Sequence, residues 1–123
     1  MHIPIYLQLP LLISLVLYNY TMLTVQEIST GFAQEASPYP LKRAYLFGSQ
    51  ARGNASHNSD IDIFIDVKEG FSLFDLCGLT NALEKRFGVS CDVVTRNGLK
   101  DSIRTNAEKD GILIYEHDPI PKL

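Results

Sequence analysis

Two runs of strand-forming residues, 43-RAYLF-47 and 60-DIDIFIDV-67, bracket a polar stretch that opens on a glycine, 48-GSQARGNASHNS-59. Arg43–Phe47 reads as a buried strand that Gly48-Ser49 breaks. Gln50 to Gly53 begins a short helical turn, and Asn54 to Ser59 is rich in turn residues. Asp60 to Val67 alternates as a second strand, with Ile61, Ile63 and Ile65 on one side and Asp60, Asp62, Phe64 and Asp66 on the other. A strand–turn–strand unit with an acidic face therefore sits at the centre of the chain, and every other element has to pack around it.

Helices surround this unit. Thr24-Val25-Gln26-Glu27 is a capping box, followed by Val25, Ile28, Phe32 and Ala36 at helical spacing. That helix must stop before 37-SPYP-40, because prolines there cannot continue it. Ser72 caps a further helix whose apolar stripe reads Leu73, Leu76, Cys77, Thr80, Leu83 and Phe87. Lys85 and Arg86 suit its last turn and Gly88 its stop. Val89 to Thr95 is a third strand, Leu99, Ile103 and Ala107 suggest a short helix, and Ile112 to Tyr115 is a last strand. The order is helix, strand, turn, strand, helix, strand, helix, strand. This is an α/β (α+β) chain with one small sheet flanked by helices.

At 123 residues the default is one domain. A net charge of −3 gives no basic excess for gripping nucleic acid, so no stable nucleic-acid binding is expected. Cys77 and Cys91 form no C-x-x-C pair and no zinc spacing, which reads as two reduced thiols in a cytoplasmic protein. All 25 charged residues (11 basic and 14 acidic) lie beyond residue 26. The apolar segment from Ile3 to Leu23 is a poor membrane span, because Pro4, Gln8, Pro10, Ser14, Asn19 and Thr21 interrupt it and no basic cluster flanks it. It lacks the positive start of a signal peptide. The capping box just after Met22 points to residues 1–21 as an extension outside the functional fold, with an anchor or an extra ordered element as the other readings. The domain is then 22–116, with a loose tail at 117–123.

Three groups of residues carry candidate chemistry. A glycine that ends a buried strand before a helical turn presents backbone N–H groups to phosphate, and Ser49 adds a hydroxyl. Asp60 and Asp62, two apart on a strand, project from one face and repel unless a cation such as Mg²⁺ neutralises them. Asp92 starts an apolar strand, 91-CDVVT-95, which in a small sheet lies next to Asp60–Val67 and brings a third carboxylate to the same point. Three carboxylates can hold metal ions and also take a proton from a hydroxyl. Each group alone also fits a plain turn, a wet strand face or a strand start. Asp66, four residues further along the same face, reads as solvated, and His57 as a loop residue.

Taken together, 46-LFGSQARGNASHNSDIDIFID-66, 91-CDVV-94 and 111-GILIYE-116 resemble the minimal nucleotidyltransferases of the polymerase-β-like superfamily. The resemblance spans Met22 to Glu116, about three quarters of the chain. It implies a small mixed sheet flanked by helices and transfer of a nucleoside monophosphate from a triphosphate to a hydroxyl, with Mg²⁺. It further implies that Gly48, Ser49 and Arg52 bind the nucleotide phosphates. By the same resemblance, Asp60, Asp62 and Asp92 are catalytic and metal-binding. Such short chains are often partnered with a helical HEPN-domain toxin, so the resemblance implies an antitoxin that adds AMP from ATP to that partner. The other readings are a subunit of a small-molecule (antibiotic-type) nucleotidyltransferase and a non-enzymatic module that neutralises a toxin by contact. A membrane role is not expected.

Overall fold

The computed structural model describes residues 23–53 and 60–117. The described residues form four α-helices and four strands in the order α1 (Val25–Ala36), β1 (Leu41–Phe47), α2 (Gly48–Arg52), β2 (Ile61–Val67), α3 (Leu73–Phe87), β3 (Cys91–Thr95), α4 (Asp101–Asp110) and β4 (Ile112–Glu116), with a short 3-10 turn at Arg96–Gly98 between β3 and α4. The proposed extension 1–21, His57 and the tail beyond His117 lie outside the described residues.

Local chemistry sets the helix ends. The Thr24 hydroxyl accepts from the Glu27 N–H at 3.0 Å, and the Glu27 carboxylate accepts from the Thr24 N–H at 3.1 Å. Ser72 and Asp75 repeat the same box at the start of α3. Gly88, at φ 71°, ends α3 in the left-handed conformation, its N–H donating to the Glu84 carbonyl. These caps satisfy backbone groups that a helix leaves open at its ends.

The sheet is mixed, with strand order β3-β2-β1-β4. β1 pairs antiparallel with β2 and with β4, whereas β2 and β3 run parallel. A parallel pair needs a crossover, and α3 supplies it. α1 and α3 cover one face, where Ile28, Phe32, Leu79 and Leu83 pack on Ala44, Leu46, Ile61, Ile63 and Ile65. A smaller cluster on the other face joins Phe64 to Leu99 and Ala107, with Tyr45, Phe47 and Val94 against it.

On the acidic side of β2, Phe64 is a packing residue, as expected: it is 1% exposed and stacks on Tyr45 with ring centroids 4.8 Å apart, and α4 packs over that side. The structure corrects several other expectations. Asp66 is not solvated. Its carboxylate accepts two hydrogen bonds from Arg96, at 2.7 and 2.9 Å, and lies 3.5 Å from Arg43. The inward line of α3 runs through Leu76, Leu79, Leu83 and Phe87, while Leu73 is 74% exposed and Cys77 is exposed. The crossover that returns the chain to β3 sets this rotation. β1 begins two residues earlier than expected, at Leu41, and β3 two later, at Cys91. His117, expected in the loose tail, donates its N–H to the Lys42 carbonyl. Both cysteines are free thiols, and no described helix is long and apolar enough to cross a membrane.

Two stability outcomes follow. Leu79→Ala removes a fully buried side chain and lowers unfolding free energy by about 2–5 kcal/mol, whereas Leu73→Ala changes it by less than about 0.5 kcal/mol, measured by urea denaturation. The Arg96 guanidinium holds the Asp66 carboxyl below its ordinary value of 3.8, so Asp66 contributes stability above that value and loses it as pH falls through the lowered one. Asp66→Asn therefore costs about 1–2 kcal/mol at pH 7, allowing for the solvent that reaches both arginines. The gap from wild type closes in acid below the ordinary carboxylate range, as a pH series of melts will record.

Candidate active site

β1 ends at Phe47 and turns directly into α2, with Gly48 as the pivot at φ 73°. A side chain there would be strained, and a Cβ would overlap the Asp62 carboxylate oxygen. The turn is thus pressed against β2, where Phe47 stands in register with Asp62. α2 ends after Arg52, with Gly53 left-handed and its N–H on the Ser49 carbonyl.

On its other side, Asp62 stands in register with Asp92 across the parallel β2–β3 pair. Neighbouring strands lie about 4.8 Å apart, so two carboxylates are forced into one neighbourhood by backbone pairing alone. The sequence expectation that β3 lies next to β2 is borne out here. Asp62 is half-buried and Asp92 exposed; Asp60, just ahead of β2, is exposed.

Electrostatics follow from this placement. Burial raises the Asp62 pKa above the ordinary carboxylate value, the Asp92 and Asp60 charges raise it further, and the Arg52 charge opposes them. Asp62 thus feels each of the other three charged residues singled out from the sequence. Ser49 lies in the first turn of α2, partly buried. The buried Cys91 thiol is pushed up to about 12, by burial first and then by the Glu84 and Asp60 carboxylates, and remains protonated at neutral pH.

Among the described residues no three His, Cys, Asp or Glu side chains converge tightly enough to ligate one ion. Asp60, Asp62 and Asp92 therefore share a neighbourhood and repel one another without forming a closed ligand set. Their chemistry still fits a hard divalent cation: the donors are carboxylate oxygens, and their repulsion is what such a cation relieves.

Two residues that the sequence reading did not single out border the site. The end of α4 faces α2 across a cavity of about 260 Å³, and Asn106 and Asp110 line it together with Gly48 and Arg52. The spacing Ile103, Asn106, Asp110 marks one side of a helix, which is the signal the sequence held. Only the tertiary placement of α4 shows that this side meets Gly48.

Because the ionised Asp62 is disfavoured in the folded state, its penalty is full at neutral pH and is relieved as pH falls through its raised pKa. Asp62→Asn therefore raises the melting midpoint at pH 7 in the absence of divalent cations. The gain is under about 4 °C for a group that solvent reaches. The advantage shrinks as pH falls toward 4, which scanning calorimetry across pH will measure.

Comparisons with known proteins agree with this construction. The family model described as Polymerase beta, Nucleotidyltransferase matches residues 26–120. The protein adenylyltransferase MntA of Thermococcus cleftensis is 31% identical over 97 residues, covering 76% of this chain and 98% of that protein. MJ0435 of Methanocaldococcus jannaschii, provisionally named a protein adenylyltransferase, is 38% identical over 89 residues, covering 69% and 96%. A solved structure described provisionally as a minimal nucleotidyltransferase has a TM-score of 0.63 at 29% identity, covering 73% of this chain and 95% of that one. A toxin–antitoxin structure with AMP-PNP shares the fold, with a TM-score of 0.63 at 20% identity over 72% and 73% of the two chains. The strand pairing that sets Asp62 against Asp92, the Gly48 turn and the family match together make this chain a member of the polymerase β nucleotidyltransferase family.

Proposed function

We propose that this nucleotidyltransferase moves AMP from ATP to a hydroxyl on a partner protein, and that the partner is a HEPN-domain toxin which the modification silences. The observation that carries the reading is the Asp62–Asp92 register beside the Gly48 turn, which packs directly against the Asp62 carboxylate. The relatives named protein adenylyltransferase support the reaction, and the toxin–antitoxin structure with AMP-PNP supports the kind of partner.

In this reading the backbone at Gly48, the Ser49 hydroxyl and the Arg52 guanidinium hold the phosphates. Asp60, Asp62 and Asp92 would hold Mg²⁺, which offsets the negative charge of the triphosphate. Asp92, the exposed member of the in-register pair, accepts the proton of the acceptor hydroxyl. The acceptor oxygen bonds to the α-phosphorus as the bond to the β-phosphate oxygen breaks, and pyrophosphate leaves. In this reading the acceptor hydroxyl lies on the partner protein.

The test is an incubation of the full chain with ATP, Mg²⁺ and the product of the adjacent gene, followed by intact mass measurement of both chains. The partner gains one or more adenylate masses, and Asp60→Asn lowers the rate by at least about 10²-fold. A stable complex with no added mass, in which Asp60→Asn neutralises the toxin as well as wild type does, would replace the enzyme reading with contact inhibition.

A further inference from the structure

The acidic face of the sheet is also the face that α4 crosses. Its last two turns stand opposite α2, and the cavity of about 260 Å³ between them has two unlike walls. One wall carries Gly48, Arg52 and Phe47; the other carries Ile103, Asn106 and Asp110. Ile103 is 43% exposed and Phe47 partly exposed, so uncovered apolar surface remains inside the cavity.

The two charged lining residues divide the space. Arg52, next to the Gly48 turn, attracts phosphate. Asp110, on the α4 wall, repels a phosphate tail but accepts a hydrogen bond from an amino group. The Asn106 amide both donates and accepts, and a carboxamide meets the ring edge of adenine through two hydrogen bonds. A flat, neutral, amino-bearing heterocycle against Ile103 and Phe47 matches this combination; a second phosphate or a carboxylate does not. Small-ligand sites have this composition: an apolar lining with a few convergent polar groups.

We propose that the α2–α4 cavity is the base subsite of the nucleotide and that Asn106 and Asp110 select its base. The phosphates extend from it toward Gly48 and Arg52, and the amino group of the base donates to Asp110. This assignment rests on the nucleotidyltransferase reading of the Gly48–Asp62 site. It makes α4 the element that chooses the nucleotide.

The test is calorimetric titration of the full chain, with Mg²⁺, using three probes: AMP-PNP, UTP, whose base has no amino group, and inorganic tripolyphosphate. Wild type binds AMP-PNP more tightly than the other two. Asn106→Ala and Asp110→Ala, both at exposed positions, weaken AMP-PNP by about 5- to 100-fold each and do not weaken tripolyphosphate. If wild type binds tripolyphosphate as tightly as AMP-PNP, or if neither substitution moves AMP-PNP, the base subsite is wrong while the phosphate site stands. If wild type binds none of the three probes, the nucleotide reading and the base subsite fall together. If the substitutions raise the KM of the protein acceptor and leave AMP-PNP binding alone, the cavity belongs to the acceptor and the proposal is overturned.

Discussion

The register of the parallel β2–β3 pair puts Asp62 directly beside Asp92, and most features of the acidic face are consequences of that placement. Backbone pairing cannot separate the two carboxylates, because shifting either strand by one residue would turn its isoleucines or valines out of the core. The main core therefore pins two like charges together. Ile61, Ile63 and Ile65 are fully buried against α1 and α3, and Val93 is nearly so. Packing on one face of the sheet holds in place an arrangement on the other face that electrostatics alone would disperse. Such a locally unfavourable arrangement persists only where surrounding structure over-determines it.

Asp62 and Asp66 make the point sharper, since both lie on the same face of the same strand. Asp66 meets Arg96 and Arg43 at contact distance, and its carboxyl sits below the ordinary range. Arg96 in turn bonds Glu108 and stacks near the Tyr45 and Phe64 rings, which ties α4 to the sheet. Asp62 receives burial and two further acids, with only the Arg52 charge against them, and its carboxyl sits above the range. One end of β2 is thus a structural clamp and the other is a store of uncompensated negative charge. A protein built only for stability would treat both ends as it treats Asp66. The difference between them is the physical reason for proposing that the chemistry lies at Asp62.

Much of this was legible in the sequence where the signal is local. The Thr24 and Ser72 capping boxes, the stop at Gly88 and the full extent of α1 depend on residues within a turn of one another, and the structure has them as expected. Gly48 and Asp92 were legible as candidates because a strand-ending glycine and an acid inside an apolar strand both break a local rule. What could not be read depends on the far side of the sheet. Alternation made Asp66 look wet, because nothing in 60-DIDIFIDV-67 announces what will return over that face. The same missing partner hid the roles of Asn106 and Asp110. The rotation of α3 was misjudged for a related reason: Leu73 and Cys77 satisfy helical spacing as well as Leu79 does, and only the crossover to β3 decides which line faces inward.

Placement also settles which donors the acidic site can offer. Cys91 adjoins Asp92 in the chain, and a thiolate there would favour a soft metal. The strand pleat sends Cys91 the other way, into the main core, where burial and the nearby Glu84 and Asp60 carboxylates keep it protonated. The negative charge that crowds Asp62 therefore also suppresses the one sulfur ligand within reach. The donors left on that face among the described acidic and thiol groups are carboxylate oxygens. This set suits a hard divalent cation, and it is ill suited to zinc held by thiolates. The chemistry open to the site is narrowed by the parity of two adjacent residues on β3.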